Sequence, residues 1–194
     1  MNLVDRAKNI LLQPKQEWAV ISAEPHTVQD LYTGYVMILA AIAPIAAFIG
    51  FSLIGVGFFG VSYRVPITSG IVQLVLSYVL GLGSVYVLAL IIDALAPNFG
   101  GEKNFMQALK VSAFSPTAAW IAGIFSIIPA LSILGLLGGL YSLYLLYTGL
   151  PTLMRAPEDK AVPYTVVVII VAIVLAIVVG ALAGLVVPGR MRGF

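Results

Sequence analysis

Tyr164-Thr-Val-Val-Val-Ile-Ile-Val-Ala-Ile-Val-Leu-Ala-Ile-Val-Val-Gly-Ala-Leu-Ala-Gly-Leu-Val-Val187 decides the fold. It carries no charge, and a helix of this length exceeds the roughly 30 Å of hydrocarbon in a bilayer at about 1.5 Å rise per residue. Four more apolar runs precede it, near Leu31–Phe51, Ile71–Ala96, Ala108–Ile128 and Leu131–Leu150. Seven of the eight acidic residues lie outside these five runs. With 61% hydrophobic residues, 9% charged residues and a mean hydropathy of +1.07, a soluble fold of 194 residues would lack the polar surface to cover itself. Backbone exposed to lipid must satisfy its own hydrogen bonds, and the runs lack the apolar/polar alternation of barrel strands. The expected fold is therefore an all-α integral membrane protein, with five transmembrane helices preceded by a short amphipathic N-terminal helix.

Three parts follow from that reading: a cytoplasmic amphipathic segment over 1–30, a five-span domain over 31–187, and a short tail over 188–194. The N-terminus lacks the pure apolar core and small-residue cleavage site of a secretory signal, so the run from Leu31 is expected to be the first anchor. Orientation comes from the basic residues. Arg6, Lys8, Lys15, Lys103, Lys110, Arg155 and Lys160 fall on one side of a five-span chain, and Arg64, Arg190 and Arg192 on the other. The richer side is expected in the cytoplasm, with the N-terminus inside and the C-terminus outside. A net charge of +2 and the lack of a basic run argue against nucleic acid as a partner. No cysteine is present, so disulfides and thiolate chemistry are excluded.

Leu3, Val4, Ala7, Ile10 and Leu11 recur at helical spacing, with Asp5, Arg6, Lys8 and Asn9 assigned to the polar face. Asn2 is placed to cap this helix, Asp5 suits its positive end, and Pro14 stops it. Such a helix would lie in the headgroup layer or over its own bundle, or else present its apolar stripe to a protein partner. Trp18 reads as an interfacial anchor and His26, the one histidine, as a solvated loop residue without ligand companions. Thr27 and Asp30 have capping-box spacing before the first span.

Asp93 is the acid inside an apolar run, close to the end of the second span, so it either reaches interfacial water or serves transport. Asn98 and Glu102 are nearby polar residues in sequence and complete the candidate polar site. Gly100-Gly101 reads as a flexible turn. Pro116 should kink the third helix or mark a late start, and Pro129 follows that span. Gly135 with Gly139, and Gly180 with Gly184, have the four-residue spacing of close helix contacts, expected inside the bundle, with a homo-oligomer face as the alternative. Tyr141, Tyr144 and Tyr147 read as core packing and an aromatic belt. No catalytic, cofactor-binding or metal-binding pattern is present: there is no His-Glu-x-x-His and no Gly-x-Ser-x-Gly.

Two stretches carry a family resemblance. Asp5-Arg6-Ala7-Lys8-Asn9-Ile10-Leu11, with Pro14, Trp18, Ile21 and Glu24-Pro25, and Tyr141–Pro151, with Met154-Arg155-Ala156-Pro157-Glu158-Asp159-Lys160-Ala161, are similar to the bacterial branch of the Yip family. That family is named for eukaryotic members that interact with Rab/Ypt GTPases. The resemblance implies five spans with a cytoplasmic N-terminus, here in a bacterial inner membrane, and it supplies no catalytic residue. Asp30-Leu31-Tyr32 resembles the start of a eukaryotic Asp-Leu-Tyr-Gly-Pro motif, but Thr33-Gly34 departs from its ending. The expected role is a noncatalytic membrane scaffold or organiser that contacts lipid or protein partners. The alternative is a small transporter or channel component that uses Asp93.

Overall fold

The computed structural model describes residues 2–58 and 61–185. Five helical segments are long and apolar enough to cross a membrane: Val28–Ile54, Ile67–Phe99, Phe105–Ile127, Pro129–Met154 and Asp159–Gly184. They match the five expected spans to within a few residues at each end. The last two residues of the expected fifth run, the 188–194 tail, and with it Arg190 and Arg192, lie outside the described residues.

Two short helices precede the spans. Asn2 caps α1 (Leu3–Leu12) by accepting from the Val4 amide, and α2 (Pro14–Ala23) begins on Pro14 at its first position. Thr27 and Asp30 form the expected capping box, the threonine hydroxyl accepting from the Asp30 amide while the aspartate accepts from the Thr27 amide.

The first and third spans are interrupted helices. The first passes through wide π turns at Tyr32–Val36 and Ile49–Ile54. It ends at Gly55, whose φ of +89° suits a residue without a Cβ. A small antiparallel hairpin follows, β1 (Val56–Phe58) against β2 (Val61–Tyr63), with Val56 opposite Tyr63. The third span stops at Phe114, breaks over Ser115-Pro116, resumes at Thr117–Ala122 and tightens to a 3₁₀ turn over Gly123–Ile127. Proline supplies no amide hydrogen and crowds the preceding turn, so the break falls where the sequence expects it.

Burial is unequal along the membrane normal. The largest fully buried side chains, including Trp18, Phe114, Tyr35, Tyr164, Leu109, Leu145 and Ile92, sit on the near side, where α1 and α2 lie. On the far side, at the hairpin and the third-to-fourth link, Ile71, Val75, Ile124, Ile133, Leu136, Leu137 and Ile177 are exposed to the surroundings. In lipid that exposure costs nothing, since tails are as apolar as leucine.

The expected close contacts at Gly135, Gly139, Gly180 and Gly184 are not made among the described residues. A Cβ built on any of the four meets no atom within 4 Å. The tight approaches lie elsewhere. A Cβ on Gly138 would stand 2.7 Å from the Ala118 carbonyl oxygen, and one on Gly123 would stand 2.4 Å from the Ala43 Cβ. Four-residue spacing marks a face on which helices can approach, but not which of several faces meets a neighbour. The fourth helix uses Gly138, Ser142, Leu145 and Gly149, a stripe one step round from the glycine pair.

Candidate functional site

A polar cluster fixes the N-terminal helices to the bundle. Arg6 is on the buried side of α1 with Ala7 and Ile10, not on the polar face to which spacing assigns it. Its guanidinium donates to Glu17 of α2 and to Glu24 just beyond, and lies 6.0 Å from the Phe114 ring centroid. The Arg6 and Glu17 side chains are 6% and 10% exposed, so both charges are nearly desolvated and each depends on the other. His26 is part-buried against Glu24 at 3.1 Å and tilts against Phe114, so the loop histidine is a member of the cluster. Burial opposes ionisation of Glu24, but hydrogen bonds and charge from Arg6 and then His26 outweigh it, holding this carboxyl below its ordinary 4.5.

Lys110 lies within the third span, on the helix Phe105–Phe114. It is 2% exposed, and its Nζ donates to the carbonyls of Glu24 at 2.6 Å and Ser22 at 3.3 Å. Gln107 Nε2 donates to the same Ser22 carbonyl at 3.0 Å. These are carbonyls that the end of α2 leaves without helical partners, at the negative end of its dipole. The third span thus caps α2.

Trp18 locks the other face of α2. The expected interfacial anchor is fully buried, with its ring against Gly149 and its Nε1 donating to Thr148 at 3.2 Å. Gly149 is required there because a Cβ would meet the indole at 2.4 Å. Tyr141 donates to the Leu11 carbonyl at 2.7 Å, so one of the three tyrosines bridges to α1, while Tyr144 and Tyr147 stay exposed. What remains open on the N-terminal unit is a mixed surface: Val4, Leu12 and Val20, with Asp5, Lys8 and Lys15.

Asp93, Asn98 and Glu102 do not converge. Asp93 is 8% exposed, and its Oδ1 is buried without a hydrogen-bond partner among the described residues. Beside it, Tyr164 donates to the Ile92 carbonyl at 2.6 Å and stacks on Phe99. Asn98 is exposed, and Glu102 pairs on the surface with Arg155 at 3.1 Å. The Gly100-Gly101 turn is a fixed connection between spans, in which Gly100 takes a φ of +72° and the loop then donates from the Glu102 amide to the Met154 carbonyl at 2.9 Å.

Among the described residues, two cavities of similar size open between the spans, and Asp93 lines neither. One of about 440 Å³, in the far half, includes Ser52, Gln73, Ser77, Trp120 and Ser126. The other, of about 430 Å³, lies at the Pro116 break between spans two to five, with Ser84 and Ser142 half-buried in its wall and Ser112 and Ser115 buried behind it. Gly139 and Gly180 border this second cavity. Serine hydroxyls and missing side chains at helical spacing are the sequence signal that marks it. Among the described residues no group of three or more histidine, aspartate or glutamate side chains is placed to hold a metal ion.

The sequence model of a family described as the Yip1 domain matches residues 8–180. Inner membrane protein YohC of Escherichia coli K12 is 29% identical over 117 residues, and that of strain CFT073 is equally similar. The matched segment covers 60% of this chain and 60% of each relative. No solved structure matches the chain.

Proposed function

This chain belongs to the Yip1-domain family, and we propose that it is a noncatalytic organiser of the bacterial inner membrane, whose N-terminal unit presents a fixed surface to lipid or protein partners. The observation that carries this reading is the buried clamp of Arg6 on Glu17 and Glu24. Taking charges out of water costs several kcal/mol per ion, and breaking such a pair costs about 3–5 kcal/mol, so a clamped segment is held and not a loose tail. A held amphipathic unit keeps Val4, Leu12, Lys8 and Lys15 in one arrangement, and presenting such an arrangement is what an organiser needs. The name of the E. coli relatives supports the inner membrane. The seven-to-three charge asymmetry supports a cytoplasmic N-terminus.

The test is site-specific photo-crosslinking in living cells from Val4, Leu12 and Val20, compared with Ile133 on the far side. A discrete adduct from the N-terminal positions that disappears in Arg6→Ala supports the organiser. Passage of ions or small solutes through liposomes carrying the purified protein, abolished by Asp93→Asn, would replace it with a transporter.

A further inference from the structure

We propose that the cavity at the Pro116 break binds a neutral, hydroxyl-bearing lipid that enters from the bilayer. This goes beyond the organiser role, because the cavity and the N-terminal clamp share no residue. Its lining is serine, proline, glycine and aliphatic side chains from spans two to five, with no charged group. In so apolar a wall an ionised headgroup would be desolvated without compensation, at a cost far above that of a neutral hydroxyl. The ligand is therefore uncharged where it meets the wall.

The hydroxyls define what that ligand must offer. Ser84 donates its proton to the Gly81 carbonyl at 2.7 Å, which leaves its oxygen as an acceptor on the cavity wall. Ser115 and Ser112 likewise spend their protons on the Val111 and Leu109 carbonyls. Ser142 differs. Its Oγ accepts from the Ala119 amide at 3.0 Å, an amide released from the helix by the break, so its own proton is spent on no acceptor among the described residues. The half-buried serines of the wall thus offer an unspent donor, Ser142, and an unspent acceptor, Ser84, and an alcohol can use either.

Size sets the rest. A cavity of about 430 Å³ is roughly three times the 150 Å³ of an engineered apolar cavity that holds benzene, so the hydrocarbon body has on the order of 15–20 heavy atoms. A long-chain or isoprenoid alcohol fits that description, as does the hydroxyl and one chain of a diacylglycerol. Both share the chemistry of a free alcohol on hydrocarbon. Gly139 and Gly180 keep the space open, since side chains there would occupy it without touching backbone.

The experiment reconstitutes the full chain in phosphatidylcholine vesicles with one of three diazirine-bearing probes: a long-chain alcohol, a diacylglycerol, or a fatty acid ionised at pH 8. After irradiation, adducts are mapped by mass spectrometry. Adducts of one or both alcohols, assigned to single residues by fragmentation and falling on Ala119, Ala172 and Ala176, at least fivefold above the carboxylate, are expected, and the stronger identifies the source. Gly139→Leu with Gly180→Leu should cut them at least fivefold, while Gly135→Leu, which does not border the cavity, leaves them unchanged. Ser84→Ala is the mild variant if the filled one is not monodisperse, and should lower labelling about threefold. Equal labelling by all three probes, or adducts confined to lipid-facing Ile173 and Ile177 and indifferent to the filling and Ser84→Ala variants, would overturn the proposal.

Discussion

The near and far halves of this bundle solve the same problem with different means. On the near side, α1 and α2 add a second layer, and helices are held by buried aromatic rings, a desolvated ion cluster and side-chain caps on free carbonyls. On the far side the helices expose large aliphatic side chains, and contact concentrates where glycine lets backbones approach. The difference teaches that stability and openness are segregated: one half is fixed by specific pairs, and the other is left to lipid and cavity.

Breaking the clamp should show this most strongly. Arg6→Ala strands a buried Glu17 carboxylate and is expected to cost about 3–5 kcal/mol, seen as a lower thermal midpoint in detergent and protease cleavage near Pro14. Leu136→Ala, at an exposed far-side position, should stay within about 0.5 kcal/mol in the same assay. Equal losses would erase the distinction between the halves. Trp18→Ala comes next, at about 3 kcal/mol or more from lost burial, read as a lower midpoint in the same thermal assay.

A third change sharpens the far-side picture. Gly138→Val should cost about 1–3 kcal/mol by pushing the fourth helix off Ala118, whereas Gly135→Val, which meets open space, should be near neutral in thermal unfolding. Acid should act on the near half. Because the folded Glu24 value lies below its ordinary 4.5, its contribution is complete above that pH and is lost as pH falls through the lower folded value. Protease protection of the N-terminal helices should therefore decline below about pH 4.5 before the spans loosen. Asp93→Asn should give the smallest effect, an equal or slightly raised midpoint, because it replaces a buried carboxyl whose Oδ1 has no partner among the described residues.

Much of the architecture is legible in hydropathy alone, because spanning a bilayer demands long uncharged helices and little else can produce them. The caps at Asn2 and Thr27 are legible for a related reason: each is a local bond between near neighbours. The near-side cluster is not. Arg6 meets Glu24 across 18 residues and Lys110 meets Glu24 across 86, distances at which no helical period operates. A hint is present, since Arg6 stands one helical turn before Ile10 and so shares its face. Trp18 misleads because an amphipathic ring suits an interface and a lined pocket equally, and only Gly149 decides between them. The role of Lys110 is hidden because a lysine inside a span is costly unless backbone carbonyls receive it, and those carbonyls belong to another element.

The Trp18 seat also orders events in time. Its partner Thr148 lies 130 residues further along the chain, so the pocket does not exist until the fourth span has been made and inserted. The two short helices, made before the spans that receive them, can therefore be seated only after those spans have arrived. The bundle is thus built before the layer that covers it is locked in place.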